Sequence, residues 1–250
     1  MAQEFYTIDL PGKILYKKDF GVSVRKITPL EQKFILSLSQ KEQRTNKDYI
    51  NFIKKLVSFD NPEMTFEELF WFDVQYILYR IRFVTYAKYP IKLKFTCDQY
   101  DEETGKRCEG TIRHELQMGE LEIATPDDLP DLKDKVTLDN LGEVSIRNKI
   151  MRDDITIDEF AKSRKIDTDD VQMRLLLLDL CLISGEKSLA ELYNMAEDGT
   201  ITASDIVTIE EWFNNSIWGV KEVVKVKCPV CGKEVSRAYM LPLEDFFSIL

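Results

Sequence analysis

The 250-residue sequence predicts an α+β fold: a helical core with short β-hairpins, two of which carry cysteine pairs in distant halves of the chain. Three observations predict it. Capping signatures followed by apolar residues at helical spacing mark the helices. Short period-two runs bounded by turn residues mark the hairpins. A content of 44% hydrophobic residues supplies a core and argues against wholesale disorder.

Residues 5–26 read as extended chain, broken by turn chemistry at Leu10-Pro11-Gly12-Lys13. Thr28-Pro29-Leu30-Glu31 is a capping box with proline at the first helical position, and it starts a helix to about Ser39. Thr45 to Phe59 has the spacing of a second amphipathic helix. Thr65-Phe66-Glu67-Glu68 is another capping box, expected to open a long helix to about Ala87. A strand, a cysteine-bearing loop and a strand follow to Leu121, and the Pro- and Asp-rich segment from Ala124 to Leu132 reads as a linker. Residues 135–138 and 143–147 form a hairpin across Asp139-Asn140-Leu141-Gly142. Helices are expected at about 156–166, 168–184, 187–196 and 203–217, before a second cysteine hairpin and a short apolar tail. The chain thus divides into an N-terminal helical region with the first cysteine hairpin (1–121), a hairpin plus helical insert (122–220), and the second cysteine hairpin with a tail packing back on the first region (221–250).

Of the five cysteines, Cys228 and Cys231 form a C-x-x-C between period-two flanks, Val223 to Lys227 before and Glu234 to Tyr239 after. A redox dithiol would follow a strand and open a helix, so hairpin flanks favour a metal knuckle. The earlier pair repeats the layout: Ile91 to Thr96 leads into Cys97, and Gly110 to Leu116 follows Cys108, with a polar ten-residue insert between the cysteines. Two such hairpins can close one tetrahedral site of four thiolates, the usual arrangement of structural zinc with no position open to substrate. Cys97, Cys108, Cys228 and Cys231 are therefore the candidate ligands of one zinc per chain, a zinc-ribbon-like element closed by distant segments. Cys181 lies in an apolar run and reads as core; the lone His114 reads as an ordinary surface histidine.

The charge is −10, from 34 basic and 44 acidic side chains, which argues against a nucleic-acid surface. Residues 120–170 carry 15 acidic and 8 basic side chains, a solvated face or a docking surface for a basic partner. The N-terminus lacks the layout of a secretion signal, and the apolar stretch 66–87 carries too many charges to span a membrane. An enzyme needs a nucleophile, a base and a charge stabiliser; there is one histidine, no carboxylate distinguished by context, and no phosphate loop, dinucleotide fingerprint or zinc-protease motif. An EF-hand-like run from Asn194 to Asp205 fails at Ala196, which cannot bind calcium.

Several segments in order resemble the T-even-type phage baseplate protein family. They are Leu10-Pro11-Gly12-Lys13 with Tyr16; Val24 to Glu31; Asp73 with Leu78-Tyr79-Arg80-Ile81-Arg82 and Tyr86-Ala87, alanine standing where glycine is usual; Cys228-Pro229-Val230-Cys231-Gly232; and Asp245-Phe246-Phe247. The resemblance implies a non-enzymatic structural or assembly protein of a contractile phage tail. It would act at the baseplate hub through other phage baseplate or tail proteins, the tape measure or hub among the candidates. It also implies assembly in the host cytoplasm and a place in, or beside, the virion tail. Phe246 and Phe247 in the tail and Asp127, Asp128 and Asp131 in the acidic segment are the residues expected to meet partners, the alternative for the tail being that it folds back on the core. The rival reading is a zinc-ribbon nucleic-acid adaptor or phage transcription regulator, for which the second hairpin offers only Lys225, Lys227, Lys233 and Arg237.

Overall fold

A computed structural model describes residues 4–38, 46–100, 105–129, 132–167, 170–239, 241 and 247. The fold is α+β, with seven α-helices and short antiparallel sheets among these residues. Strand β1 (Phe5–Ile8) pairs with β2 (Val22–Arg25), which closes on β3 (Val57–Phe59) after two helices, α1 (Pro29–Leu38) and α2 (Asn46–Lys54). Helix α1 starts at the expected capping box: the Thr28 N–H donates to Glu31 Oε2 at 2.8 Å and the Glu31 N–H to Thr28 Oγ1 at 3.3 Å. The second helix stops short of Phe59, because Val57 pairs with Val24 and the Leu56 carbonyl accepts the Arg25 N–H at 3.0 Å. Its expected start, Thr45, lies outside the described residues.

The second capping box forms, but it caps a single 3-10 turn over Phe66–Glu68. Leu69 and Phe70 are then extended, because their backbone is engaged elsewhere. The Trp71 N–H donates to Lys149 O at 2.9 Å and the Met151 N–H to Leu69 O at 2.9 Å. Helix α3 (Trp71–Thr85) begins beyond that bridge and buries Val74, Ile77, Leu78 and Ile81. Hairpin β4 (Ile91–Thr96) and β5 (Thr111–Leu116) follows.

The expected linker holds β6 (Glu122–Ala124) and a 3-10 turn at Pro126–Asp128. Strands β7 (Lys135–Leu138) and β8 (Gly142–Ile146) form the expected hairpin, and β9 (Ile183–Ser184) joins β8 after α4 (Met151–Arg164) and α5 (Val171–Leu182). Helix α4 starts five residues earlier than about 156, since Asp153 accepts the Ile150 N–H at 2.9 Å and caps an apolar start. Helices α6 (Leu189–Glu197) and α7 (Ala203–Asn215) open at Ser188 and Thr202 capping boxes. Strand β10 (Gly219–Lys221) pairs with β6, and β11 (Val223–Lys227) with β12 (Glu234–Ala238).

The largest core cluster joins β1–β3, α1–α3 and both cysteine hairpins. A second lies among α4–α6, and a third packs α7 on the β7–β8–β9 sheet through Leu138, Ile146, Leu182 and Ile209. Trp218, 1% exposed, packs edge-on to Phe72 at a ring separation of 4.8 Å and to Phe70 at 5.3 Å. Burying an aromatic of that size contributes on the order of 2–3 kcal/mol. No helix among the described residues is long and apolar enough to cross a membrane.

Candidate metal centre

Each cysteine pair sits on a knuckle whose turn is fixed by backbone hydrogen bonds. In the first, the Cys97 N–H donates to Gly110 O at 2.8 Å, Glu109 N–H to Cys97 O at 3.1 Å, and Cys108 N–H to Gln99 O at 2.8 Å. In the second, the Cys228 N–H donates to Lys233 O at 2.9 Å and the Gly232 N–H to Cys228 O at 2.9 Å. The residue after the second cysteine takes the left-handed conformation in both, φ 71° at Gly232 and φ 52° at Glu109. Glycine does this freely; glutamate does so at a cost of about 1 kcal/mol. Gly110 has another task. A Cβ there would lie 2.9 Å from Val230 Cγ2 and 3.0 Å from Cys228 Sγ, so its bareness lets the knuckles approach.

The four sulfurs converge. Cys97 Sγ lies 3.8 Å from Cys231 Sγ, Cys108 Sγ 3.7 Å from Cys228 Sγ, and all four lie within 4.8 Å of one another. These separations are far too long for disulfides, and the thiols are free. Four thiolates tetrahedrally disposed about 2.3 Å from a metal stand about 3.8 Å apart, so the cluster can hold an ion with little rearrangement. Cys97 and Cys228 are buried and Cys231 is exposed.

The electrostatics are uneven. The Cys231 N–H, then the Val230 N–H, draw the Cys228 thiol down to about 6 against the opposing effect of burial. At Cys108 the Gly110 N–H favours the thiolate, but burial and the three neighbouring sulfurs outweigh it and push the thiol up to about 12. At Cys97 the Gln99 N–H, helped by Cys108, favours the thiolate, but burial and the Cys228 and Cys231 sulfurs outweigh them and raise the thiol. A bound dication would reverse this balance and ionise all four. Around the thiols, Arg237 pairs with Asp98 across the two hairpins and Lys233 Nζ donates to Tyr100 O at 3.0 Å. Two of the four cations on the second hairpin are therefore held by the first.

The remaining candidate residues are not gathered at this centre. His114 lies 3.7 Å from Glu120, and Cys181 is buried in the α4–α6 core, its thiol pushed up to about 12 by burial and then by the charge of Asp153. Asp127 and Asp128 are exposed, but Asp128 has a local role: it accepts from Thr125 N at 2.7 Å and Thr125 Oγ1 at 2.9 Å. Phe247 is fully buried, its ring 6.0 Å from that of Phe52 and its carbonyl accepting from Gln32 at 2.9 Å and Tyr86 at 3.2 Å. At Phe247 the tail folds back on the core. Asp131 and Phe246 lie outside the described residues.

The supporting residues that spacing did not reveal are Gln99, Glu109 and Asp98; a left-handed glutamate has no sequence signature. A second polar cluster was also hidden. Asp73 accepts from Gly12 N at 2.8 Å and Tyr16 Oη at 2.7 Å, and so joins the Leu10-Pro11-Gly12-Lys13 turn to α3. A cleft of about 740 Å³ runs between Tyr16, Phe70, Arg147 and Trp212. Of its charged groups, Arg147 pairs with Asp153 at 2.7 Å and Glu68 with Lys18 at 2.9 Å.

The sequence profile of the T4 bacteriophage base plate protein family matches residues 13–248, nearly the whole chain. No curated protein and no solved structure matches.

Proposed function

The chain belongs to the T4 bacteriophage base plate protein family, and we propose that it serves there as a non-enzymatic assembly or structural component of the baseplate hub, held in shape by one structural zinc. The family match over residues 13–248 carries the reading. A four-thiol cluster with sulfurs 3.7–3.8 Å apart in opposed pairs supports the zinc, since such a site leaves no coordination position for chemistry. Cys97, Cys108, Cys228 and Cys231 are its ligands in this proposal. The protein works by docking on other tail proteins, with the acidic segment around Asp127 meeting a basic surface; complementary charge steers such encounters more than it tightens them. It is made and assembled in the host cytoplasm.

Infection with the gene deleted tests the role: complete contractile tails should be missing, and their presence would overturn it. Mass spectrometry of purified particles decides between a resident component and one that leaves after assembly. Elemental analysis should find one zinc per chain in protein made without chelators. Strong, salt-dependent DNA binding would favour a nucleic-acid adaptor instead.

A further inference from the structure

The sheets β1–β2–β3 and β7–β8–β9 share one topology, a hairpin whose second strand is joined, after two helices, by an antiparallel third. Their central strands align as Val22-Ser23-Val24-Arg25 and Val144-Ser145-Ile146-Arg147, the second arginine standing just past the end of β8. The correspondence extends to individual bonds. The Arg25 N–H donates to Leu56 O at 3.0 Å, and the Arg147 N–H to Leu182 O at 2.9 Å. Each arginine grips, with both terminal nitrogens, a carboxylate six residues on, Glu31 at 2.9 and 2.6 Å and Asp153 at 2.8 and 2.7 Å. Each also donates to the carbonyl of the next residue at 3.1 Å. Each carboxylate accepts the N–H three residues before it, at 2.8 and 2.9 Å, and so caps the first helix.

The parallel continues along the chain. After the third strand, capping boxes at Thr65–Glu68 and Ser188–Glu191 open a 3-10 turn in one half and α6 in the other. The next helices, α3 and α7, carry a buried aspartate at their third residue. Asp73 accepts the Gly12 N–H at 2.8 Å and Asp205 the Asp139 N–H at 2.6 Å, each from the connection between the first two strands. Four residues beyond each stands a fully buried isoleucine, Ile77 or Ile209. Thirteen beyond stands a buried aromatic followed by a small residue, Tyr86-Ala87 or Trp218-Gly219. The first cysteine follows each aspartate by 24 and 23 residues, on knuckles that share two backbone hydrogen bonds, Cys97 N–H to Gly110 O with Cys228 N–H to Lys233 O, and Glu109 N–H to Cys97 O with Gly232 N–H to Cys228 O. Capping boxes and buried aspartates are common singly. Their shared order and partners, with the matched spacing from each arginine to its carboxylate and from each aspartate onward, are not expected of unrelated halves.

We propose that the chain is a fused tandem pair of one repeated unit, about residues 5–118 and 135–241, and that its four-cysteine centre is composite, each unit giving two thiolates so that a bound metal clasps the units together. The clasp rests on the four-thiolate reading above; the repeat rests on the backbone. The halves differ mainly by insertions. Thirteen residues join β1 to β2 where three join β7 to β8, and ten residues separate Cys97 from Cys108 where two separate Cys228 from Cys231. Those insertions hide the relation from sequence spacing. The second cysteine hairpin accordingly belongs to the second unit, although it packs on the core of the first, where Tyr79 Oη donates to Glu222 at 3.0 Å.

The test is a graft in the full chain. Pro229-Val230-Cys231-Gly232 is placed where residues 98–109 stand, so that both knuckles have one sequence. Cobalt(II) titration, read by thiolate charge-transfer bands, should show one ion per chain, bound within about threefold as tightly as by the unaltered protein. A graft that keeps its helicity but binds a hundredfold more weakly would overturn the repeat. No metal in the unaltered chain would instead sink the four-thiolate reading and the clasp with it. A second measurement stands even if the graft fails to fold: a protease site inserted between residues 125 and 132, cut in the otherwise unaltered protein. The nicked halves should separate at higher urea with zinc than with chelator. Separation indifferent to metal would overturn the clasp.

Discussion

Asp73 sets a carboxylate where no solvent reaches it. Burial pushes its pKa up to about 6, against the Gly12 and Tyr16 donors that favour the charged form. The native state therefore keeps this proton to higher pH than the unfolded chain does. Its contribution is best below about pH 4 and worsens as pH rises through 6, by up to about 3 kcal/mol. Asp73→Asn should flatten that decline, with urea midpoints between pH 4 and 7 losing the slope that the unaltered chain shows; parallel curves would refute it. Asp179 behaves alike: burial, then the charge of Glu210, raises it to about 7, and its Oδ2 is buried without a hydrogen-bond partner among the described residues. Asp179→Asn should stabilise the protein by about 2 kcal/mol at pH 8 and hardly below about pH 4, measured by thermal melts. Little of this was legible beforehand. Asp73 and Gly12 are marks of the family resemblance, but their hydrogen bond was hidden because they stand 61 positions apart. Glu109 was equally silent, and Glu109→Gly should raise the melting temperature by relieving a left-handed glutamate worth about 1 kcal/mol.

At the scale of elements, local signals were read correctly where local bonds decide. Thr28–Glu31 caps α1 as expected, and the β7–β8 hairpin falls where its turn residues put it. Expectation failed where a distant backbone intervened. The strand β3 displaced the end of a helix because β2 was there to receive it, and the Thr65 box capped one turn because residues 69–71 are bonded to 149–151. Strands β6 and β10 have three residues each, too few for periodicity to register. The Arg25–Glu31 grip belongs to this scale, because it fixes the exit of a strand to the start of a helix. Hydrogen bonding from Arg25 holds the Glu31 pKa down to about 2. That stability is present above about pH 4.5 and lost as pH falls through 2. Glu31→Gln should cost about 1–2 kcal/mol at pH 7 and almost nothing at pH 2, in denaturant titrations at both.

For the whole molecule the cysteine centre dominates. The pairing of distant hairpins was legible because both knuckles carry the same flanks; that Arg237 and Asp98 also tie them was not. If zinc at a thousandfold excess over its dissociation constant contributes about 4 kcal/mol, chelation should lower the melting temperature by roughly 10 °C. Cys228→Ser should do the same, while Cys181→Ala should leave metal content unchanged, its thiol being part of the α4–α6 core. Charge reversal separates docking from folding. Asp127 is exposed and Asp128 caps a turn, so Asp127→Lys should slow partner association or tail assembly with an unchanged melting temperature. Unchanged assembly would reduce the acidic segment to a solvated face.

The 120 positions between Cys108 and Cys228 also set a clock. Synthesis runs from the N-terminus at roughly 5–20 residues per second, so the first thiol pair waits on the order of 6–24 s for the second. During that interval it is a two-pronged hook, open to any soft metal or oxidant. A chain released early, anywhere before Cys231, never closes it. A filled centre therefore certifies that translation passed the last knuckle, and a baseplate that recruits only the closed form would exclude incomplete copies without a separate proofreading step.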